Sequence, residues 1–181
     1  MGGSDAVTGA VDLELLRRQS GVALGRDGVF TYRGRPVENE RVQELFHAGI
    51  DVRDDGQVTL TVGRFMAYPD VEGVARFVRR VAWDAAGGGS ATLVGGREAR
   101  FDRGAIAYGP DDRFYVWLDG LRGPAVLLRE AHQVLAGRIA DDPEGLGRAL
   151  GWLPAIPGPA SPRPTSEQAI AGDVVPGETE A

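Results

Sequence analysis

Turn-forming residues cut most of the middle of this chain into short runs that suit strands better than helices. They fall at GRDG (25–28), Gly34, RDDG (53–56), the glycines at 87–89, GG (95–96) and FDRGAIAYGPDD (101–112). Asp-Gly between apolar runs is a hairpin signal, because glycine accepts the positive φ such turns need and Asp bonds the local backbone. Around these turns lie VAL (22–24), VFTYR (29–33), QVTLTV (57–62), SATLV (90–94), REARF (97–101) and FYVWL (114–118). Phe30 and Tyr32 alternate onto one face, as do Val58, Leu60 and Val62, which is the period of a half-buried strand.

Helical patterning is confined to the flanks of this strand-rich stretch. In NERVQELFHAGI (39–50), Asn39 suits an N-cap, Val42, Leu45, Phe46 and Ile50 recur at helical spacing, and Gly49 suits the helix end. Asp12 can cap a short helix carrying Leu13, Leu15 and Leu16. A longer helix is expected from Pro124 to Ala140, with Pro124 at its first position and Leu127, Leu128, Ala131, Leu135 and Ile139 as its apolar stripe. A shorter one is expected after Asp142-Pro143, carrying Leu146, Leu150 and Trp152. The stretch 71–85 is ambiguous: Val71, Val74, Ala75, Val78, Val81, Ala82 and Ala85 fit a helical stripe, whereas FVRRVAW (77–83) has the β-branched and aromatic content of a strand. Strands in the middle with helices early and late indicate an α+β fold with a largely antiparallel sheet rather than a βαβ series.

The folded part is expected over 12–153, as one domain or as two small subdomains at about 12–68 and 69–153, after a flexible N-terminus at 1–11. The segment 154–181 holds six of the eleven prolines and few large apolar residues, so a disordered Pro-rich tail is expected there.

Composition narrows function mainly by exclusion. Without cysteine there is no disulfide, thiolate nucleophile or cysteine-ligated metal. All twenty basic residues are arginine, which removes Schiff-base lysines and the lysine of a nucleotide-binding P-loop. A net charge of −6 disfavours nucleic acid or an anionic membrane as partner, and no apolar run approaches membrane length, so a cytoplasmic protein is expected.

Candidate constellations are weak. Glu44 and His47 have the i, i+3 spacing of a di-iron carboxylate site, but no second Glu-x-x-His is present, and no metal or cofactor is expected. His47 reads as a partly exposed helix-end residue and His132 as the edge of an amphipathic face. Ser90 lacks the closing glycine of a nucleophile elbow. The doublets Asp54-Asp55, Asp111-Asp112 and Asp141-Asp142 lie at turns or helix starts, where Asp serves the backbone. Arg33 and Arg35, with Arg79 and Arg80, are candidates for a local anion or partner patch. Asp119 and Arg122, on the loop before Pro124, together with His132, are the remaining candidate binding residues.

The run GRDGVFTYRGRPVENERVQELFHAGIDVRDDGQVTLTVGRF (25–65) resembles the start of the bacterial family called domain of unknown function 1285 (DUF1285). The positions that carry the likeness are Asp27, Gly28, Phe30, Tyr32, Gly34, Pro36 and Val37 in the hairpin. They continue with Leu45 and Phe46 in the helix, Asp55, Gly56 and Leu60 after the second turn, and then Val71, Glu72 and Phe77. A fainter likeness reaches Gly120, Leu121, Arg129 and Leu135. TVGRF (61–65) stands where the family has TP.EK, and the family's HPLR segment has no counterpart near 101–113. The resemblance implies an α+β fold and a strand at FVRRVAW, against the periodicity. It implies no activity. Two readings remain: an accessory protein that binds an unidentified protein partner and has no catalytic centre, or a small-anion binder or acid–base hydrolase using Asp119, Arg122 and His132.

Overall fold

The computed structural model describes residues 17–84 and 88–165. The expected helix at Leu13–Leu16 and the segments 1–11 and 166–181 lie outside the described residues.

The fold is α+β and mostly antiparallel. β1 (Val22–Leu24), β2 (Phe30–Tyr32) and β3 (Arg35–Pro36) form a meander, beside which β7 (Asp70–Val71) pairs in parallel with β1. Helix α1 (Glu40–Gly49) leads into a second small sheet of β4 (Ile50–Val52), β5 (Val58–Val62) and β6 (Phe65–Ala67). The third sheet has seven strands, in the order β10 (Glu98–Phe101), β9 (Gly89–Leu93), β8 (Arg76–Trp83), β13 (Pro124–Leu127), β12 (Phe114–Trp117), β11 (Ile106–Tyr108) and β14 (Gly151–Trp152). Helix α2 (Arg129–Asp141) packs on β8 and β13. Among the described residues, no helix is long and apolar enough to cross a membrane. One apolar cluster runs through all three sheets, from Val22, Leu24 and Phe30 through Leu60, Phe77 and Val78 to Val126, Leu135 and Leu146.

Local chemistry accounts for the elements that were expected. Gly28 sits at φ +83° while the Asp27 carboxylate accepts from Val29 N at 3.0 Å, closing the first hairpin. The same device recurs where Asp55 accepts from Gln57 N at 3.0 Å. Asn39 caps α1, accepting from Arg41 N at 3.0 Å and Val42 N at 3.3 Å. FVRRVAW is a strand, as the family resemblance implied.

Three expectations need correction. First, 124–127 is not the start of a helix. Gly120 and Gly123, both at positive φ, turn the chain back so that β13 pairs antiparallel with β12 and parallel with β8, with Ala125 opposite Val116 on one side and Arg76 on the other. All four residues of β13 are buried, as in a central strand covered on both faces, and α2 begins at Arg129. Of the expected stripe, Ala131 and Leu135 are buried within α2.

Second, α1 does not bury Leu45, which is 54 % exposed; its buried residue is His47. Third, the short helix after Asp142-Pro143 is a single π-type turn (Pro143–Gly147) that buries Leu146, while Trp152 lies exposed in β14. Within the expected Pro-rich tail, the described residues up to 165 make bonds to the domain. Ser161 O accepts from Trp117 Nε1 at 3.0 Å, and Arg163 makes paired bonds to Asp102 at 2.8 and 2.5 Å. A proline-rich composition does not prevent docking when an arginine fork and a buried indole supply the bonds.

Candidate functional site

A concavity lies where the first meander, helix α1 and strand β8 of the seven-stranded sheet meet. It has a volume of about 530 Å³, within the range of small-molecule sites. The Asp27–Val29 turn and Val37–Glu38 form one wall, and Glu40, Gln43, Glu44 and His47 of α1 form another. Phe77 and Arg79 of β8, with Val94 and Leu128, close it.

Two α1 side chains one turn apart fix its geometry. Gln43 behaves like a piece of strand: Nε2 donates to Phe30 O at 3.1 Å and Val37 O at 2.9 Å, while Oε1 accepts from Phe30 N at 2.9 Å. Four positions on, His47 is 8 % exposed, and its Nε2 lies 2.8 Å from Gly28 O. A carbonyl only accepts, so Nε2 carries the proton and Nδ1 of the neutral ring is an acceptor. Burial, the largest influence, pushes the His47 pKa below its usual value, against the opposing hydrogen bond to Gly28. Phe30 and Phe77 meet the imidazole edge-on, with ring centroids 4.9 and 5.6 Å away. Behind it, toward Ala75 and Leu93, is a void of about 20 Å³, room for a water at most.

The rim is acidic. Asp27, Glu38, Glu40 and Glu44 face one guanidinium, that of Arg79, which pairs with Glu44 at 2.7 Å. Among the described residues, no ion pair engages Glu38 or Glu40. The same residues contain no group of three His, Cys, Asp or Glu arranged to hold a metal ion.

Glu44, His47 and Arg79 line the cleft, whereas the other candidate residues singled out in the sequence lie elsewhere. Arg33 and Arg35 are exposed at the β2–β3 turn, where Arg33, at φ +50°, sets its guanidinium 5.3 Å from the Tyr32 ring centroid. The Arg122 guanidinium bonds Asp54, and a shallow depression of about 380 Å³ lies beside it, bordered by Asp51 and Leu121. The His132 ring lies 4.6 Å from that of Phe114. Asp119 is exposed on the loop after β12, where its amide donates to Arg100 O at 2.7 Å and its charge acts on Arg163. Asp119, Arg122 and His132 thus have separate partners and are not brought together. The acidic doublets serve structure: Asp111 accepts from Tyr115 OH at 2.7 Å, and Asp142 caps Gly145 N at 3.0 Å while pairing with Arg103 at 2.6 Å.

Sequence reasoning missed Gln43, and its reading of His47 as a partly exposed helix-end residue is corrected by the structure, which buries the ring against Phe30 and Phe77. The i, i+4 spacing of Gln43 and His47, which puts both on the helix face turned to the Asp27-Gly28 hairpin, is the signal that was there to find.

No protein-family model and no curated protein matches the chain. Among solved structures, a DUF1285 family protein from Shewanella baltica aligns with a TM-score of 0.50 and 17 % identity, over 65 % of this chain and 91 % of that one. A DUF1285 family protein from Silicibacter pomeroyi aligns with a TM-score of 0.49 and 21 % identity, over 64 % of this chain and 67 % of that one. In fold, then, the chain is similar to the Shewanella baltica DUF1285 protein, of the same family that its hairpin, helix and second-turn motifs resemble.

Proposed function

We propose that this protein is a diverged DUF1285 member that works by binding rather than catalysis, as a cytoplasmic accessory protein whose partner engages the cleft between the Asp27-Gly28 turn, α1 and β8. The observation that carries this reading is the cleft itself: a sizeable concavity held open by Gln43 and His47, each committed by hydrogen bonds to the hairpin opposite. Such commitment fixes a surface in advance of its ligand, which lowers the ordering cost of association. Among the described residues that line the cleft there is no serine, threonine or cysteine for His47 to activate as a nucleophile.

The test is affinity capture from native lysate with the wild-type protein and with Val29→Trp, which places an indole on the cleft wall. A partner retained in stoichiometric amount by the wild type and lost with the variant is the expected result. No retained partner, or one retained equally by both, overturns the proposal.

A further inference from the structure

Building on the binding role proposed for the cleft, we propose that the group it takes is an organic cation on an apolar stem, an alkylammonium or alkylguanidinium. Three observations meet in that chemistry. The rim sets four carboxylates against one guanidinium, and Glu38 and Glu40 have no ion pair among the described residues. Behind the rim the lining turns apolar, with Val37, Phe77, Val94 and Leu128. His47, more than nine-tenths buried, lines the same space; its Nε2–H is spent on Gly28, and its Nδ1 has no hydrogen bond from the described residues.

The unspent polar groups are therefore mainly acceptors: carboxylate oxygens and an imidazole nitrogen. Ammonium and guanidinium are donors only, so each N–H meets an acceptor, and methylene stems suit the apolar lining. A carboxylate or phosphate ligand would bring more acceptors and more negative charge to a site already rich in both, a mismatch that costs affinity. Arg79 fits the same picture, because its guanidinium already occupies Glu44 in the way the incoming group would.

The chemistry is shared by a free amine and by a basic side chain of a protein, and the experiment separates them. Spermidine, n-butylguanidinium and the blocked peptide Ac-Ala-Leu-Arg-Leu-Ala-NH2 are titrated into the full chain while backbone amide shifts are followed at Gly28, Gln43 and His47. Pentanoate and the glutamate counterpart of the peptide serve as anions. The cations are expected to shift these amides and the anions not. The double variant Glu38→Gln/Glu40→Gln, at two exposed positions, is expected to weaken the cations by about tenfold. Equal binding of free cation and peptide assigns the site to a small molecule, and binding of the peptide alone assigns it to a partner's side chain; both support the cation. If an anion shifts the cleft amides as strongly, or the double variant binds cations unchanged, the cation inference fails while the cleft remains a binding site. If neither class shifts them, the cation inference fails, and the capture experiment with Val29→Trp alone decides whether the cleft engages a partner.

Discussion

His47 Nε2 donates to the Gly28 carbonyl at 2.8 Å, so a side chain of α1 is bonded to the turn of a hairpin 19 positions earlier. Protonating Nδ1 would leave that bond in place, but burial disfavours the cation, and the pKa lies below its usual value. The unfolded chain, with an ordinary histidine pKa of about 6.5, therefore takes up the proton first. Stability is complete above that value, falls as the pH drops toward the lower folded-state pKa, and levels off beneath it. Denaturant titrations at about pH 7.5 and about pH 5 should show this decline. It should shrink in His47→Gln, whose amide can still donate to Gly28; an equal decline in that variant would remove His47 as the cause.

Gly49 ends α1 against β5, and a Cβ there would overlap the Thr61 carbonyl oxygen, which is backbone and cannot move aside cheaply. Gly49→Ala should destabilise by about 1–3 kcal/mol. Gly137, in the middle of α2, has open space where its Cβ would be. Gly137→Ala should stabilise by about 0.5–1 kcal/mol through helix propensity. Melting temperatures of the two variants, shifted in opposite directions, are the check.

Arg76 is 4 % exposed in β8 and joins the halves of the fold, bonding Asp51 after α1 at 2.6 Å and the Arg122 carbonyl in the β12–β13 turn. Burial pulls its pKa down, and Asp51 partly restores it. Arg76→Ala leaves both a cavity and an unpaired carbonyl, and should cost about 2–4 kcal/mol. Asp51→Ala strands one end of the guanidinium for about 1–2 kcal/mol. Asp51→Asn, which keeps an acceptor, should cost less than either. Equilibrium unfolding of the three variants tests this order, and a reversal would show that Arg76 is held by packing rather than by its bonds.

The Arg163–Asp102 fork fastens the segment that lies over Trp117. Both side chains are about half exposed, so Arg163→Gln should lower global stability by less than about 1 kcal/mol. Locally the effect should be larger, with faster hydrogen exchange at the Gly158 amide and at Trp117 Nε1. The Asp102 carboxyl is held below the usual carboxylate range, first by its hydrogen bond to Arg163. The fork's contribution is thus present above about pH 4 and lost as the pH falls below it. Unchanged exchange in the variant would assign the docking of 158–165 to packing alone.

Turn and cap chemistry made much of the fold legible in the amino-acid order. Asp27-Gly28, Asp55-Gly56 and Asn39 act within a few residues, so their partners are fixed by spacing alone. The candidate site was less legible. Arg33, Arg35, Asp119, Arg122 and His132 stood out as polar residues on loops or helix faces, yet each finds a local or structural partner or stays exposed at a turn. Gln43 and His47 looked like ordinary helix polar residues because the groups they bond, Phe30, Val37 and Gly28, belong to another element.

The same division holds for PAVLL at 124–128. By itself the sequence determined that this run is apolar and must be buried, that glycines precede it, and that a helix follows. Whether its first four residues coil or extend was decided only by the tertiary structure: β12 and β8 offer backbone partners on both sides. An extended, wholly buried segment is favourable when neighbours satisfy its backbone, and those on one side are supplied from residues 76–78, far along the chain. The cleft arises in the same way, since Gly28, His47, Phe77 and Leu128 meet only after the sheets and helices have packed.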